Sequence, residues 1–187
     1  MEGFQHDTET GKRETVLGQG LRWVSEAVET IVPAVLIALL INLFLAQATR
    51  VYGQSMEPNL HSDQRLVVEK LSYNFHIPQR GDIVVLKVPD AGSGLLIKRI
   101  IGLPGEKVEI KDGRVHINDR PLEEPYLSHQ SQRDMTAIVV PPEHVFVLGD
   151  NRGFSNDSRS FGTVPLDHVV GRAWFSYWPL DQIGLLE

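Results

Sequence analysis

The apolar positions of the chain change pattern once, near residue 50. Residues 30–49 contain no charged residue, and from Ile31 to Ala46 every residue except Asn42 is apolar. Twenty helical residues rise about 30 Å, which is the thickness of the hydrocarbon core of a bilayer. The run is apolar on all faces rather than along one stripe, so a membrane-spanning helix over 30–49 is favoured over a buried core helix. A cleaved signal peptide is disfavoured, because a long polar segment precedes the run.

The segment before the predicted span is polar. Up to Trp23 it has the composition of a disordered tail, and its basic residues, Lys12, Arg13 and Arg22, favour the cytoplasmic side for residues 1–29. The remainder of the chain, 50–187, is then expected on the other side of the membrane.

After Arg50 the pattern consists of short runs rich in Val and Ile, separated by Gly, Pro, Asn and Asp. Such runs predict strands, and Asp112-Gly113 between two of them predicts a hairpin. No long segment of helical periodicity follows residue 50. The predicted fold class is therefore mainly β: a compact antiparallel β domain preceded by one N-terminal transmembrane helix. The predicted strands are Arg65–Lys70, Asp82–Val88, Leu95–Ile101, Lys107–Ile110, Arg114–Ile117, His144–Leu148 and Val169–Tyr177.

Composition narrows the possible chemistry. The 187 residues are 42% hydrophobic and 22% charged, which is typical of a globular chain. The net charge of −6 argues against nucleic-acid binding, and the absence of cysteine excludes disulfides and a thiol nucleophile. The seven histidines are scattered without metal-ligand spacing. We therefore expect no metal and no cofactor.

Four polar segments carry candidate chemistry. The first contains Ser55, which Gly53 and Pro58 put in an exposed turn. A serine in a turn, a lysine in a strand or a polar loop each has an ordinary structural explanation when taken alone. The four segments are Gly53–Leu60, Gly81–Val85, Lys98–Gly105 and Gly149–Arg159.

The strand that contains Lys98 has a cation on each face. Leu96, Lys98 and Ile100 share one face by alternation, and Arg99 points the other way. Both faces are otherwise apolar. The period of the strand does not say which cation is buried.

Taken together and in this order, behind one predicted span, the four segments resemble the type I signal peptidases of bacteria. The resemblance covers about residues 20–178. It implies a membrane-anchored serine protease on a mainly β fold, with Ser55 as nucleophile and Lys98 as general base. The backbone N–H of Ser55 is then expected in the oxyanion hole.

The resemblance also assigns supporting residues. Ser155 matches a serine that hydrogen-bonds the lysine, and Asp157 and Arg159 match a supporting ion pair. Further members of the set are Asp150 and Arg152 in the same loop, and Met56, which is expected to pack beside the nucleophile.

The chain departs from well-known relatives in three ways. Gly53 stands where many carry a serine whose hydroxyl helps bind the oxyanion, so a role of Gly53 in that hole is open. Leu96 replaces an aromatic residue. The short stretch between Lys98 and Gly149 leaves room only for a small cap at about 104–142.

The chemistry of the residues agrees with this resemblance. A serine hydroxyl needs a neighbouring base, and the four segments contain no histidine, so His61 is the best alternative to the lysine. A lysine acts as a base only when neutral, which requires desolvation or a nearby positive charge. The apolar neighbours of Lys98 could supply desolvation, and Arg99 or Arg159 the positive charge.

The resemblance implies removal of N-terminal signal peptides from exported preproteins, after small residues at positions −1 and −3. The expected partners are preprotein signal peptides, membrane lipid and a nearby export translocon, with no nucleic acid. The expected location is the bacterial cytoplasmic membrane, with the catalytic domain on its outer side. Two alternatives stay open: a self-cleaving repressor-type Ser–Lys protease, and a non-catalytic anchored β module that binds partners.

Overall fold

The structure is a computed structural model that describes residues 10–40, 46–70, 73, 77–88, 94–129 and 133–186. The chain divides into two compact units, Met1–Leu43 and Phe44–Glu187. Predictions for residues 1–9 lie outside the described residues.

The first unit contains one helix, α1, over Thr10–Leu40. The expectation of a disordered segment up to Trp23 is therefore wrong from Thr10 onward. A helix that has formed in the apolar run extends into the preceding residues without a second nucleation step. Pro33 lies inside this helix. Among the described residues, no helix combines the length and hydropathy needed to cross a membrane.

The C-terminal end of the predicted helix over 30–49 is also wrong. Residues Ala46–Arg50 form a strand, β1, in the second unit. They pair in antiparallel register with Arg65–Glu69, so backbone partners in the sheet override the apolar pattern.

The second unit is mainly β, as predicted. The seven predicted strands are present, with ends that differ by at most two residues. Sequence analysis missed five strands: β1, the strand Met135–Val139 and three strands of two residues each. The strands are β1 Ala46–Arg50, β2 Arg65–Glu69, β3 Ile83–Leu86, β4 Leu96–Gly102, β5 Lys107–Lys111, β6 Arg114–Ile117, β7 Arg120–Pro121, β8 Met135–Val139, β9 His144–Leu148, β10 Val164–Pro165, β11 Val169–Trp178 and β12 Gly184–Leu185, and a short helix, α2, covers Ser158–Phe161.

Within the described residues these strands form two antiparallel sheets. The larger follows the order β1-β2-β11-β3-β4-β9-β10, with β12 paired to β11. The smaller follows the order β7-β6-β5-β8 and includes the predicted hairpin at Asp112-Gly113. Its strands fall inside the range 104–142 that was predicted for a small cap.

Strand β4 is the central element for the site because both of its faces are buried. One face packs in a cluster with Val84, Leu86 and Val147, and the other contributes Ile97 and Ile101 to two further clusters. Only the first residue of β4 is partly exposed. A polar side chain on β4 is thus removed from water on either face.

Candidate active site

Ser55 and Lys98 come together although they lie far apart in the sequence. Lys98 Nζ donates a hydrogen bond of 2.8 Å to Ser55 Oγ and another of 2.9 Å to the carbonyl of Ile97. Ser55 belongs to the turn before β2, and Lys98 is the third residue of β4. A serine hydroxyl within hydrogen-bond reach of an amine is the arrangement that nucleophilic catalysis requires.

Lys98 is only 2% exposed, and its burial controls its protonation. Burial lowers the pKa of Lys98 to about 8 from its ordinary value of 10.5. The carboxylates of Asp157 and Asp150 act in the opposite direction. The lowered pKa and its cause agree with the sequence-based expectation.

The expected contribution of Arg99 or Arg159 to this lowering is wrong. Each arginine forms an ion pair of 2.8 Å, Arg99 with Asp150 and Arg159 with Asp157. The charged groups that act on the pKa of Lys98 are the carboxylates of these pairs, and they raise it. The apolar surroundings of β4 alone account for the low pKa of the lysine.

The polar loop after β9 contacts the backbone of Ser55. The N–H of Asn151 donates a hydrogen bond of 3.0 Å to the carbonyl of Ser55. A Cβ added at Gly149 would lie 2.5 Å from the same carbonyl and 2.3 Å from Ser155 Oγ. Glycine is needed at this position because the loop and the turn approach so closely.

Asp157 and Arg159 form the ion pair that the sequence analysis expected. Asp157 is buried at the N-terminus of α2 and accepts hydrogen bonds from Arg159 and from the N–H of Gly149. Burial alone would raise the pKa of Asp157, but these donors outweigh it and lower the pKa. The carboxylate is therefore ionised and holds the loop in shape.

Ser155 does not make the hydrogen bond that the sequence analysis expected. Its Oγ is buried and has no hydrogen bond of ordinary geometry, to Lys98 or to another described group. The hydroxyl lies against Gly149, and it is near enough to Asp157 to help lower the pKa of that carboxyl. The donors of Lys98 are directed to Ser55 and Ile97 instead.

On the opposite face of β4, Arg99 and Asp150 form a buried bidentate ion pair. Arg99 Nε and Nη2 lie 2.9 and 2.8 Å from the two carboxylate oxygens. Arg99 is also 2% exposed, so the strand buries both of its cations. Asn59 donates a third hydrogen bond to Asp150, of 2.8 Å. A buried ion pair of this kind is stable only with such complete partnering.

Two residues of the loop between β7 and β8 join this network. Glu124 accepts a hydrogen bond of 3.2 Å from Arg152, whose Nε bonds the carbonyl of Gly149. The ring of Tyr126 lies 4.1 Å from the guanidinium of Arg99. Sequence analysis missed Glu124 and Tyr126, since nothing in the spacing links them to the four segments, and it missed Asn59 although that residue lies inside the first segment.

Two further predicted residues lie in the turn over residues 53–60, which contains Ser55, the proposed nucleophile, and is called the nucleophile turn below. Met56 is buried in a core cluster with Val51, Leu60 and Ile97, and this packing anchors the turn to the core. Gly53 has a φ of 80°, a left-handed conformation that side chains disfavour. The glycine at this position is thus explained by the backbone of the turn.

A cavity of about 430 Å³ contains both Ser55 and Lys98. One wall is the end of β1 with Tyr52, and the other is the segment 94–98 at the start of β4. β1 ends the sheet order, and β4 pairs with β9 only from Arg99 onward. Among the described strands, β1 and the first three residues of β4 thus each have one edge without a strand partner, and both segments line this cavity.

His61 is not at this site. It lines a separate cavity with Pro58, Gln64 and residues 182–186, and its N–H donates to the side chain of Gln64. The alternative base considered in the sequence analysis is therefore wrong, because the turn directs His61 away from the cavity that contains Ser55.

Known proteins resemble this chain over most of its length. The family described as "Signal peptidase, peptidase S26" matches residues 24–178. "Probable signal peptidase I-2" of Synechocystis sp. is 40% identical over 163 residues, which cover 84% of this chain and 75% of that protein. "Signal peptidase I" of Leptolyngbya laminosa is 42% identical over 168 residues, which cover 86% and 83%.

A solved structure is also similar. The crystal structure of a signal peptidase I from Enterococcus faecalis V583 is 37% identical, covers 51% of this chain and 95% of its own, and has a TM-score of 0.47. The family match spans the nucleophile turn, β4 and the polar loop. The chain belongs to the signal peptidase family, peptidase S26.

Proposed function

We propose that this serine endopeptidase removes signal peptides from preproteins, with Ser55 as nucleophile and Lys98 as general base. The observation that carries the proposal is the hydrogen bond of 2.8 Å between Lys98 Nζ and Ser55 Oγ, made by a lysine whose burial lowers its pKa to about 8. The names of the relatives support the substrate class.

In the acylation step, Ser55 Oγ attacks the carbonyl carbon of the scissile amide while its proton passes to neutral Lys98 Nζ. The carbon–nitrogen bond then breaks, and the proton moves from Lys98 to the leaving amine. In deacylation, water attacks the ester and gives its proton to Lys98. The bond between carbon and Ser55 Oγ breaks, and the proton returns to the serine.

The developing oxyanion needs donors close to the nucleophile. We propose the backbone N–H of Ser55 as one of them. Gly53 brings no side-chain donor, so a second donor at that position would be a backbone group or a bound water. Asp150, Arg152, Asp157 and Arg159 support the loop that borders the nucleophile, and Ser155 lies within that loop.

The substrate is proposed to bind as an extended strand. The two unpartnered edges, of β1 and of the start of β4, border the cavity that contains Ser55 and Lys98. A peptide between them would gain backbone hydrogen bonds, and its alternate side chains would enter the cavity on one face. This mode explains why positions −1 and −3 would be read together while −2 is not.

We further propose that the N-terminal segment anchors the enzyme in the bacterial cytoplasmic membrane, with the catalytic unit on the outer side. The support is the apolar run from Ile31 to Ala46. Contact with lipid and closeness to the export translocon follow from this proposal. Alkaline extraction of isolated membranes tests it, since an anchored protein stays with the lipid.

The catalytic assignment is tested with purified protein and a preprotein substrate. Ser55→Ala and Lys98→Met should each abolish processing while the protein stays folded by circular dichroism. The matched control is Lys107→Met, which removes a partly exposed lysine of the smaller sheet and should leave activity unchanged. Processing at the full rate by Ser55→Ala or by Lys98→Met would disprove the proposed pair.

Specificity is tested with peptides that carry Ala at −1 and −3. Replacing Ala by Phe at −1 should stop cleavage, because that side chain would have to fit beside Ser55 in the cavity. The same replacement at −2 should change the rate by less than fivefold. Efficient cleavage after Phe would contradict the extended binding mode.

A further inference from the structure

Asn59 connects the nucleophile turn to groups on the far side of β4. It lies four residues after Ser55, in the same turn. Its side-chain Nδ2 donates two hydrogen bonds, of 2.8 Å to Asp150 Oδ2 and of 2.9 Å to the carbonyl of Tyr126. Both protons of the amide are thus used, and by partners far away in the sequence.

The partner of Asn59 is held firmly in place. Asp150 receives two hydrogen bonds from Arg99, and both side chains of that ion pair are at most 2% exposed. Arg99 follows Lys98 directly in β4, whose backbone is fixed by β3 on one side and by β9 on the other. The Asp150 carboxylate is therefore in a fixed position relative to the lysine.

The nucleophile turn is attached to this fixed point twice. Asn151, which follows Asp150, donates its N–H to the carbonyl of Ser55. Asn59 donates its amide to Asp150 itself. The hydrogen bond from Asn151 holds the turn at Ser55, and the hydrogen bond from Asn59 holds it near its C-terminal end. Together the two bonds set the position and the orientation of Ser55 relative to Lys98.

We propose that Asn59 is a positioning residue for the Ser55–Lys98 pair and that it acts by donating to Asp150. This inference rests on the proposed function. A hydrogen bond to a charged group is stronger than one between neutral groups, so the bond to Asp150 holds the turn in place. Small misplacements of a nucleophile reduce catalytic rates strongly. Loss of the donor should therefore lower kcat rather than substrate binding.

The exposure of Asn59 makes this role separable from packing. The residue as a whole is exposed, so truncation to alanine opens no cavity in the core. Asn59→Asp keeps the size of the side chain but replaces the donor with an acceptor next to Asp150. If Asn59 acted only through its packing or shape, aspartate would preserve activity. If Asn59 acts by donating a hydrogen bond to Asp150, aspartate would not.

The experiment measures kcat and KM for a short peptide with Ala at −1 and −3, across pH 6–9.5. Asn59→Ala should lower kcat about tenfold with KM within twofold, and the pH of half-maximal kcat should stay the same because no charge is removed. Asn59→Asp should lose at least as much. The control is Ser176→Ala, which removes from β11 the acceptor of a buried hydrogen bond of 2.8 Å donated by Gln64 and should retain kcat within twofold.

Several results would overturn the inference: kcat of Asn59→Ala within threefold of the unmodified chain, a loss confined to KM, a shift of the pH profile with an unchanged plateau, or an aspartate variant with full activity. Ser55→Ala is measured in parallel to separate the two proposals. If Ser55→Ala still cleaves, the proposed function fails. If Ser55→Ala is inactive and Asn59→Ala is fully active, only the role of Asn59 fails.

Discussion

At the scale of single residues, the site depends on how the charges around Lys98 are distributed. The two nearby carboxylates, Asp157 and Asp150, would stabilise the ammonium form and raise its pKa. Each carboxylate also pairs with an arginine, Asp157 with Arg159 and Asp150 with Arg99, and their effect on the pKa of the lysine is smaller than that of burial. Desolvation on the buried face of β4 then dominates, and the lysine becomes a base suited to near-neutral pH.

This balance predicts the pH dependence of the reaction. With a pKa of about 8, roughly one lysine in ten is neutral at pH 7, compared with about one in three thousand for an unperturbed side chain. The rate should therefore rise about tenfold per pH unit below pH 8 and level off above pH 9. Single-turnover cleavage of a peptide from pH 5.5 to 9.5 measures this. A flat profile, with chemistry shown to limit the rate, would rule out neutral Lys98 as the base.

At the scale of elements, the polar loop after β9 is the part that couples the buried ion pairs to the nucleophile. The N–H of Gly149 donates to Asp157 and its carbonyl accepts from Arg152, while its Cα lies against the backbone of Ser55. The loop is thus fixed on three sides, and the absence of a side chain at Gly149 allows the close approach.

Gly149→Ala should consequently displace the nucleophile turn. The added methyl group would overlap the Ser55 carbonyl and the Ser155 side chain, and a rigid backbone carbonyl yields little. We expect kcat to fall more than tenfold, with a lower melting temperature. Gly184→Ala is the matched control, because an added Cβ there meets nothing within 4 Å. Equal activity of the two variants would contradict the tight contact.

At the scale of the whole molecule, catalysis and stability oppose each other at Lys98. The folded unit keeps the lysine at a pKa of about 8, and the unfolded chain returns it to about 10.5. Below pH 8 both states are protonated, and the full cost of burying the ammonium, about 3 kcal/mol, lowers the stability of the fold. Between pH 8 and 10.5 this cost disappears as the pH rises.

Lys98→Met should accordingly stabilise the fold while it abolishes activity. The gain in the free energy of unfolding should reach up to about 3 kcal/mol at pH 7 and shrink toward zero near pH 10.5. Urea unfolding at a series of pH values measures it, with Lys107→Met as the partly exposed control. A lysine variant that loses stability at pH 7 would show that the ammonium is not penalised by burial.

Much of the chain was predictable from local pattern. Seven strands were recovered because runs of Val and Ile, separated by turn residues, have few other stable conformations. Ser55 and Lys98 were predicted as a pair because their motifs are specific in combination, and the structure places their side chains within 2.8 Å of each other. The errors came where the local signal was weak or was overridden: β1 was taken for the end of a helix, and β8 has an exposed, mixed pattern that gives no clear period.

The sequence by itself determined which groups are available: a serine in a turn, a lysine between apolar neighbours, and a polar loop with its arginines and aspartates. Only the tertiary structure decided how they combine. Both faces of β4 are covered, so both Lys98 and Arg99 are buried, which strand alternation does not foresee. The Ser55–Lys98 contact, the pairing of Arg99 with Asp150 and the bonds of Asn59 join residues distant in the chain. Such contacts depend on which strands become neighbours in the sheets, and that is fixed by burial of the core as a whole rather than by any local segment.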